Sequence, residues 1–193
     1  MTTDTAQSAS TRSWSAVVNG RGHRTAMNIF MAIVIAHWAE HIAQAIQIWA
    51  LGWPRPRALG LLGMAFPWLV SSEWLHYGFA LVMLGGLWLL RAGFHGRATR
   101  WWVIALGIQV WHHLEHFLLL VQAQTHHYLF GASVPTSIIQ QFLPRVELHL
   151  FYNALVTVPM AVAVVLHLRP NAGERAVARC TCAVGRRVQP VGA

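Results

Sequence analysis

Lysine is missing from the chain, and only six of its 193 residues are acidic. Charged residues make up 10% and hydrophobic ones 55%, against about 25% charged in soluble domains, so a solvated globular surface is excluded. Cysteine is scarce too. Cys180 and Cys182 both fall in an arginine-rich C-terminal stretch, so no disulfide framework is implied, and a lone CxC there reads as incidental. All 14 cations are arginine and the formal charge is +8, a balance that suits nucleic acid when the cations share one folded face. Here they lie between and beyond apolar segments, as the positive loops of a membrane protein do, so the expected partner is the lipid bilayer and no nucleic acid. Residues 1–26 are polar and interrupted by Arg12, Arg21 and Arg24. No cleavable signal peptide is therefore expected, and the first apolar segment is its own anchor.

What is present is four apolar runs, near Met27–Leu51, Ser71–Leu90, Thr99–Gln124 and Arg145–Leu168. Each is long enough for a hydrocarbon core of ~30 Å, which takes about 20 helical residues. Backbone groups have no water to bond in lipid, so these runs must be helices. The expected fold is an all-α integral membrane four-helix bundle covering residues 27–168. A disordered arm, 1–26, precedes it and a disordered tail, 169–193, follows. The stretch Ala58–Val70 holds Gly60, Gly63 and Pro67 and reads as an interfacial or re-entrant piece. Pro159 should kink the fourth helix. Eleven arginines flank one side of the spans, in the arm, the loop of Arg91, Arg97 and Arg100, and the tail, against Arg55, Arg57 and Arg145 on the other. That asymmetry predicts a multi-pass plasma-membrane protein with both termini cytoplasmic.

His37-Trp38-Ala39-Glu40-His41 recurs as His112-His113-Leu114-Glu115-His116, the same HxxEH pattern 75 residues on. A looser pair follows, Glu73 to His76 and Glu147 to His149. The chain thus reads as two copies of a helical hairpin, about 27–96 and 97–168, related by an axis along the membrane normal.

Glu40, Glu73, Glu115 and Glu147 put one acid in or at the mouth of each span, each with histidine beside it. At roughly 3 kcal/mol for a central acid, the set opposes insertion by on the order of 10 kcal/mol unless it is compensated. On a helix His37, Glu40, His41 and Gln44 form one stripe, as do Gln109, His112, Glu115 and His116. Glu73 and His76 share a face, whereas Glu147 and His149, two apart, do not. At 1.5 Å per residue the four motifs meet in the outer half of the bilayer.

Neutral imidazoles with carboxylates are ligands for transition metals, and carboxylate-rich sets favour bridged pairs of iron or manganese. The expected site is a binuclear centre of His37, Glu40, His41, His112, Glu115 and His116, completed by Glu73, His76, Glu147 and His149. Iron is favoured over copper, zinc or manganese. The ligand inventory resembles that of soluble di-iron bundles, although here HxxEH occupies two helices and Glu-x-x-His occurs once. His37–His41 and His112–His116 are similar to the HxxxH clusters of membrane desaturases, but no HxxHH follows. Three rivals remain: heme b between spans one and three, helix bracing without metal, and a proton path. Heme leaves the four carboxylates unexplained. A proton path needs polar residues toward the cytoplasm, and 30–36 and 79–90 supply none. The expected activity is that of an oxidoreductase acting on a lipid-soluble substrate, with a non-enzymatic metal-handling protein as the alternative.

Overall fold

The computed structural model describes residues 14–178, 180 and 182, and all regular structure among them is helical. Chain order gives α1 (Trp14–Val18), α2 (His23–Ala45), α3 (Gly60–Ala65), α4 (Pro67–Ser71), α5 (Trp74–Leu90), α6 (Arg97–Thr125), α7 (Arg145–Leu168) and α8 (Ala172–Val177). Four stretches are long and apolar enough to cross a membrane: His23–Ala50, Trp74–Gly93, Arg97–Thr125 and Arg145–Leu168. α6 packs on α5 and α7, and α2 packs on the same two, which closes a four-helix bundle. Large apolar side chains such as Ile29, Ile35, Trp88, Val103, Leu114, Phe117 and Val158 point outward, while His37, Glu40, His41, Glu73, His76, His112, Glu115, His116 and His149 are buried. That inversion of the soluble pattern is what a lipid solvent requires.

The spans differ from the sequence expectation at their ends. The second starts at Trp74 rather than Ser71 because Glu73 takes a left-handed φ of 64° and breaks the helix before it. The first starts at His23 and finishes in a π-helical turn, Ile46–Ala50, a wider turn that re-aims Gln47. α7 runs on across Pro159 without a break. Part of the expected arm, Trp14–Val18, and part of the expected tail, Ala172–Val177, are helical. Residues 1–13 of the arm and 179, 181 and 183–193 of the tail, with Arg12, Arg179, Arg186 and Arg187, lie outside the described residues.

The bundle interior divides into two halves. Met27, Phe30, Val34, Met83, Leu87, Trp102, Ala105 and Met160 form an apolar plug on the side of the chain termini. Trp102 satisfies its indole N–H there on the Leu87 carbonyl at 2.8 Å. The other half holds His37, His41, His76, His112, His116 and His149, and α3 packs on α2 there from the first loop.

Candidate metal centre

Helical spacing delivers the two stripes as expected: His37, Glu40, His41 and Gln44 of α2 and Gln109, His112, Glu115 and His116 of α6 are all buried. His76 of α5 and His149 of α7 join them. The six imidazoles form one continuous cluster, with His41–His149 and His116–His149 centroids 4.9 Å apart, His76–His149 5.4 Å, His112–His116 4.6 Å and His37–His41 4.7 Å. Within each HxxEH motif the two Nε2 atoms face one another, at 3.0 Å for His37 and His41 and at 2.7 Å for His112 and His116.

The carboxylates are engaged by backbone amides and arginines. Glu40 accepts hydrogen bonds from the backbone N–H groups of Leu61 (3.1 Å), Leu62 (3.0 Å) and Gly63 (3.4 Å), the open N-terminus of α3. The first N–H groups of a helix have no partner within it, and the acid satisfies three of them here. Gly60 makes the approach possible: its φ is +75°, and a Cβ there would overlap the Glu40 carboxylate. Glu115 holds the second long loop in a similar manner, accepting from the Ile139 N–H at 2.9 Å. Glu73 is bound by both terminal nitrogens of the Arg145 guanidinium, and Glu147 by both of Arg55, at 2.8 and 2.5 Å. Both arginines are parts of the site that the sequence reading counted only as loop charge. A cation at the start of an apolar helix, four residues ahead of a buried histidine, was the available signal.

Paired glutamines repeat the pattern. Gln47 brackets Gly60, accepting from its N–H at 2.9 Å and donating to its carbonyl at 3.4 Å. Gln122, 75 residues on, brackets Thr136 in the same way, at 3.3 and 3.0 Å.

Three histidines offer nitrogens within 4.8 Å of one another: His112, His116 and His149. The His149 Nδ1–H donates to the Arg145 carbonyl at 2.6 Å, which fixes the tautomer and leaves a lone pair on buried Nε2. That Nε2 makes no hydrogen bond among the described residues, and neither do Nδ1 of His112 and of His116. A proton shared between the two facing Nε2 atoms leaves at least one of those Nδ1 atoms a bare lone pair. Each unpartnered buried group costs about 1–3 kcal/mol. An ion taking up lone pairs here removes part of that penalty. On α2, His41 donates Nδ1–H to Gln44 Oε1 at 2.8 Å, so its Nε2 lone pair also points inward.

A small void with room for about one water molecule adjoins the trio, walled by Glu115, Ser137, Leu148 and Tyr152 among others. The Tyr152 ring stacks on His112 at 4.4 Å, and its oxygen accepts from the Trp111 indole at 2.8 Å. A larger cleft, about 1750 Å³ including space open to the outside, reaches His76 and His149 past Leu59, Trp68, Val70, Pro135 and Val146. His113 sits apart from the cluster, against Tyr77 at 5.3 Å, and Tyr77 with it.

A second gathering was missed by the sequence reading. His23, His167, Cys180 and Cys182 also bring their donor atoms within 4.8 Å of one another, at the opposite end of the bundle. Comparison of the chain with protein-family models, with curated proteins and with solved structures finds no match. The functional reading therefore rests on the chemistry of the residues.

Proposed function

We propose that this chain is a membrane-embedded metalloprotein whose centre is built from histidine, with the glutamates acting chiefly as clamps. His112, His116 and His149 hold one transition-metal ion. Three protein ligands leave a further position open, the arrangement of reactive rather than purely structural metal sites. His37, His41 and His76 line the adjoining position for a second ion. The observation that carries the reading is His149: its tautomer is fixed by a backbone carbonyl, and its bare Nε2 is buried facing two further histidines.

An all-imidazole set suits copper, zinc, iron or nickel, whereas manganese prefers the carboxylates that here bind arginine and backbone amides. Heme is disfavoured because the histidine rings pack against one another at 4.6–6.0 Å instead of flanking a slot. The apolar cleft and the Tyr152–Glu115 wall favour an enzyme over a storage protein. A small lipid-soluble reductant enters beside Trp68 and meets the cluster at His76 and His149, and Tyr152 and Glu115, beside His112 and His116, relay its proton. The matched brackets of Gln47 and Gln122, and of Glu40 and Glu115, support the two-hairpin repeat. The arginine distribution favours a centre toward the outer leaflet with both termini in the cytoplasm.

Metal analysis and the visible spectrum of the detergent-purified protein test this reading. One or two ions at the histidine centre without a Soret band, falling with His149→Ala, is the expected result, together with metal-dependent oxidation of two short-chain quinols to quinones for each dioxygen reduced to water. Protein that stays folded and metal-free, or that carries heme, overturns it.

A further inference from the structure

The end of the bundle opposite the histidine cluster carries its own set of donors, drawn from three separate parts of the chain. His23 opens α2, His167 lies in the last turn of α7, and Cys180 and Cys182 follow α8. The local chemistry that brings them together is explicit. After α7 the chain turns at Pro170 and Asn171, where Asn171 and Glu174 form a reciprocal capping box at 2.8 and 3.0 Å. Glu174 then grips the start of α6, accepting from the Arg97 backbone N–H at 2.9 Å and from its guanidinium at 3.0 and 3.1 Å. This clamp sends the chain back beneath the bundle, so that Cys180 Sγ comes 3.1 Å from His167 Nε2.

His23 is prepared for coordination. Its ring is fully buried, packed edge-on against Phe94 at 5.3 Å and His167 at 5.1 Å, and a Cβ on Gly93 would overlap it. Its Nε2–H donates to the Leu90 carbonyl at 3.3 Å, which leaves the Nδ1 lone pair facing Cys182 Sγ, also at 3.3 Å. A ligand histidine commonly shows this arrangement, one ring nitrogen held by a carbonyl and the other presented to the ion. His167 Nε2 lies 2.9 Å from Cys182 Sγ, and the two sulfurs are 2.6 Å apart. In a tetrahedral zinc site the edges are ~3.6 Å between nitrogen and sulfur and ~3.8 Å between sulfurs, from bond lengths of about 2.05 and 2.3 Å. The nitrogen–sulfur pairs lie within several tenths of an ångström of those lengths, at 2.9–3.3 Å, whereas the sulfur pair lies well inside, at 2.6 Å, so the two cysteine side chains must rotate apart to admit an ion.

We propose that His23, His167, Cys180 and Cys182 form a tetrahedral Cys2His2 site for one zinc ion, which fastens the C-terminal segment across the start of α2 and the end of α7. The site is chemically distinct from the histidine centre and does not depend on it. Two thiolates and two imidazoles with every position filled by protein define a structural site rather than a reactive one.

The test uses the full chain, purified in detergent under reducing conditions. Cobalt(II) is the first probe. A thiolate-to-cobalt charge-transfer band, displaced by zinc and absent from the C180S/C182S double variant, is expected; ions on the histidine centre give no such band. The second probe needs no variant: zinc should slow alkylation of Cys180 and Cys182 by more than about tenfold, because a bound thiolate is not available as a nucleophile. The proposal is overturned by any one of three results: no charge-transfer band, equal alkylation rates with and without zinc, or a Cys180–Cys182 disulfide in the reduced, purified protein.

Discussion

Replacing Glu40 by glutamine separates two roles that a buried carboxylate can play. As a clamp, Glu40 spreads its charge over the N–H groups of Leu61, Leu62 and Gly63 at 3.0–3.4 Å. Hydrogen bonds to a charged group contribute about 1.5–3 kcal/mol each, against about 0.5–1.5 for neutral pairs. Glutamine keeps one accepting oxygen and turns an NH2 toward the others, so one N–H loses its partner and the rest lose the charge. The expected destabilisation is roughly 2–4 kcal/mol, larger than for an exposed cap because lipid offers no substitute acceptor. Gly60→Ala should act on the same contact, since its Cβ would occupy the carboxylate's place. Neighbours sharing one interaction are not additive, so the double variant should be less unstable than the sum of the singles by on the order of 1 kcal/mol or more. The assay is reversible unfolding in mixed micelles, with metal content measured on the same samples. Stability should fall while metal is retained. Loss of metal at unchanged stability would show that Glu40 is a ligand and would refute the clamp.

Three further outcomes follow from other parts of the structure. Arg145→Gln leaves the buried Glu73 carboxylate without its cation beside His76, and should cost about 3–5 kcal/mol in the same unfolding assay, whereas the double change with Glu73→Gln should recover much of the loss. Tyr152→Phe should keep metal content and reduce quinol turnover, because the ring still stacks on His112 while the hydroxyl is gone; unchanged turnover removes Tyr152 from the proton route. Glu174 is held down to about 2 from 4.5 by its hydrogen bonds to Arg97. A depressed carboxylate stabilises docking above its unfolded pKa and loses that contribution as pH falls from about 4.5 toward 2. Hydrogen exchange at residues 172–177, corrected for intrinsic rates, should stay constant from pH 7 to about 5 and rise below; a rise already near neutrality contradicts the Glu174 clamp.

The stripes of histidine and glutamate were legible because a helix enforces its own period: once 37–41 and 112–116 are helical, the facing side is fixed. Ligand roles were less legible. Nothing in the spacing tells that Gly60–Gly63 returns to Glu40, or that Arg145 reaches back 72 residues to Glu73, since both depend on how loops fold over the bundle mouth. Two local signals were present. Gln47 and Gln122 each stand ten residues after the first histidine of their motif, which marks them as partners of the loops. Asn171-x-x-Glu174 is a capping-box pattern directly after the fourth span, and it announces the helix that turns the cysteines back toward His167. A CxC looks incidental when the tail is taken to be unstructured, and acquires ligands once that turn is recognised.

X-ray absorption on the C180S/C182S protein, with only the histidine centre able to bind, tests the central claim most directly. The account predicts a first shell of nitrogen with the outer-shell scattering of at least three imidazoles. A shell dominated by carboxylate oxygen would contradict it and restore the glutamates as ligands.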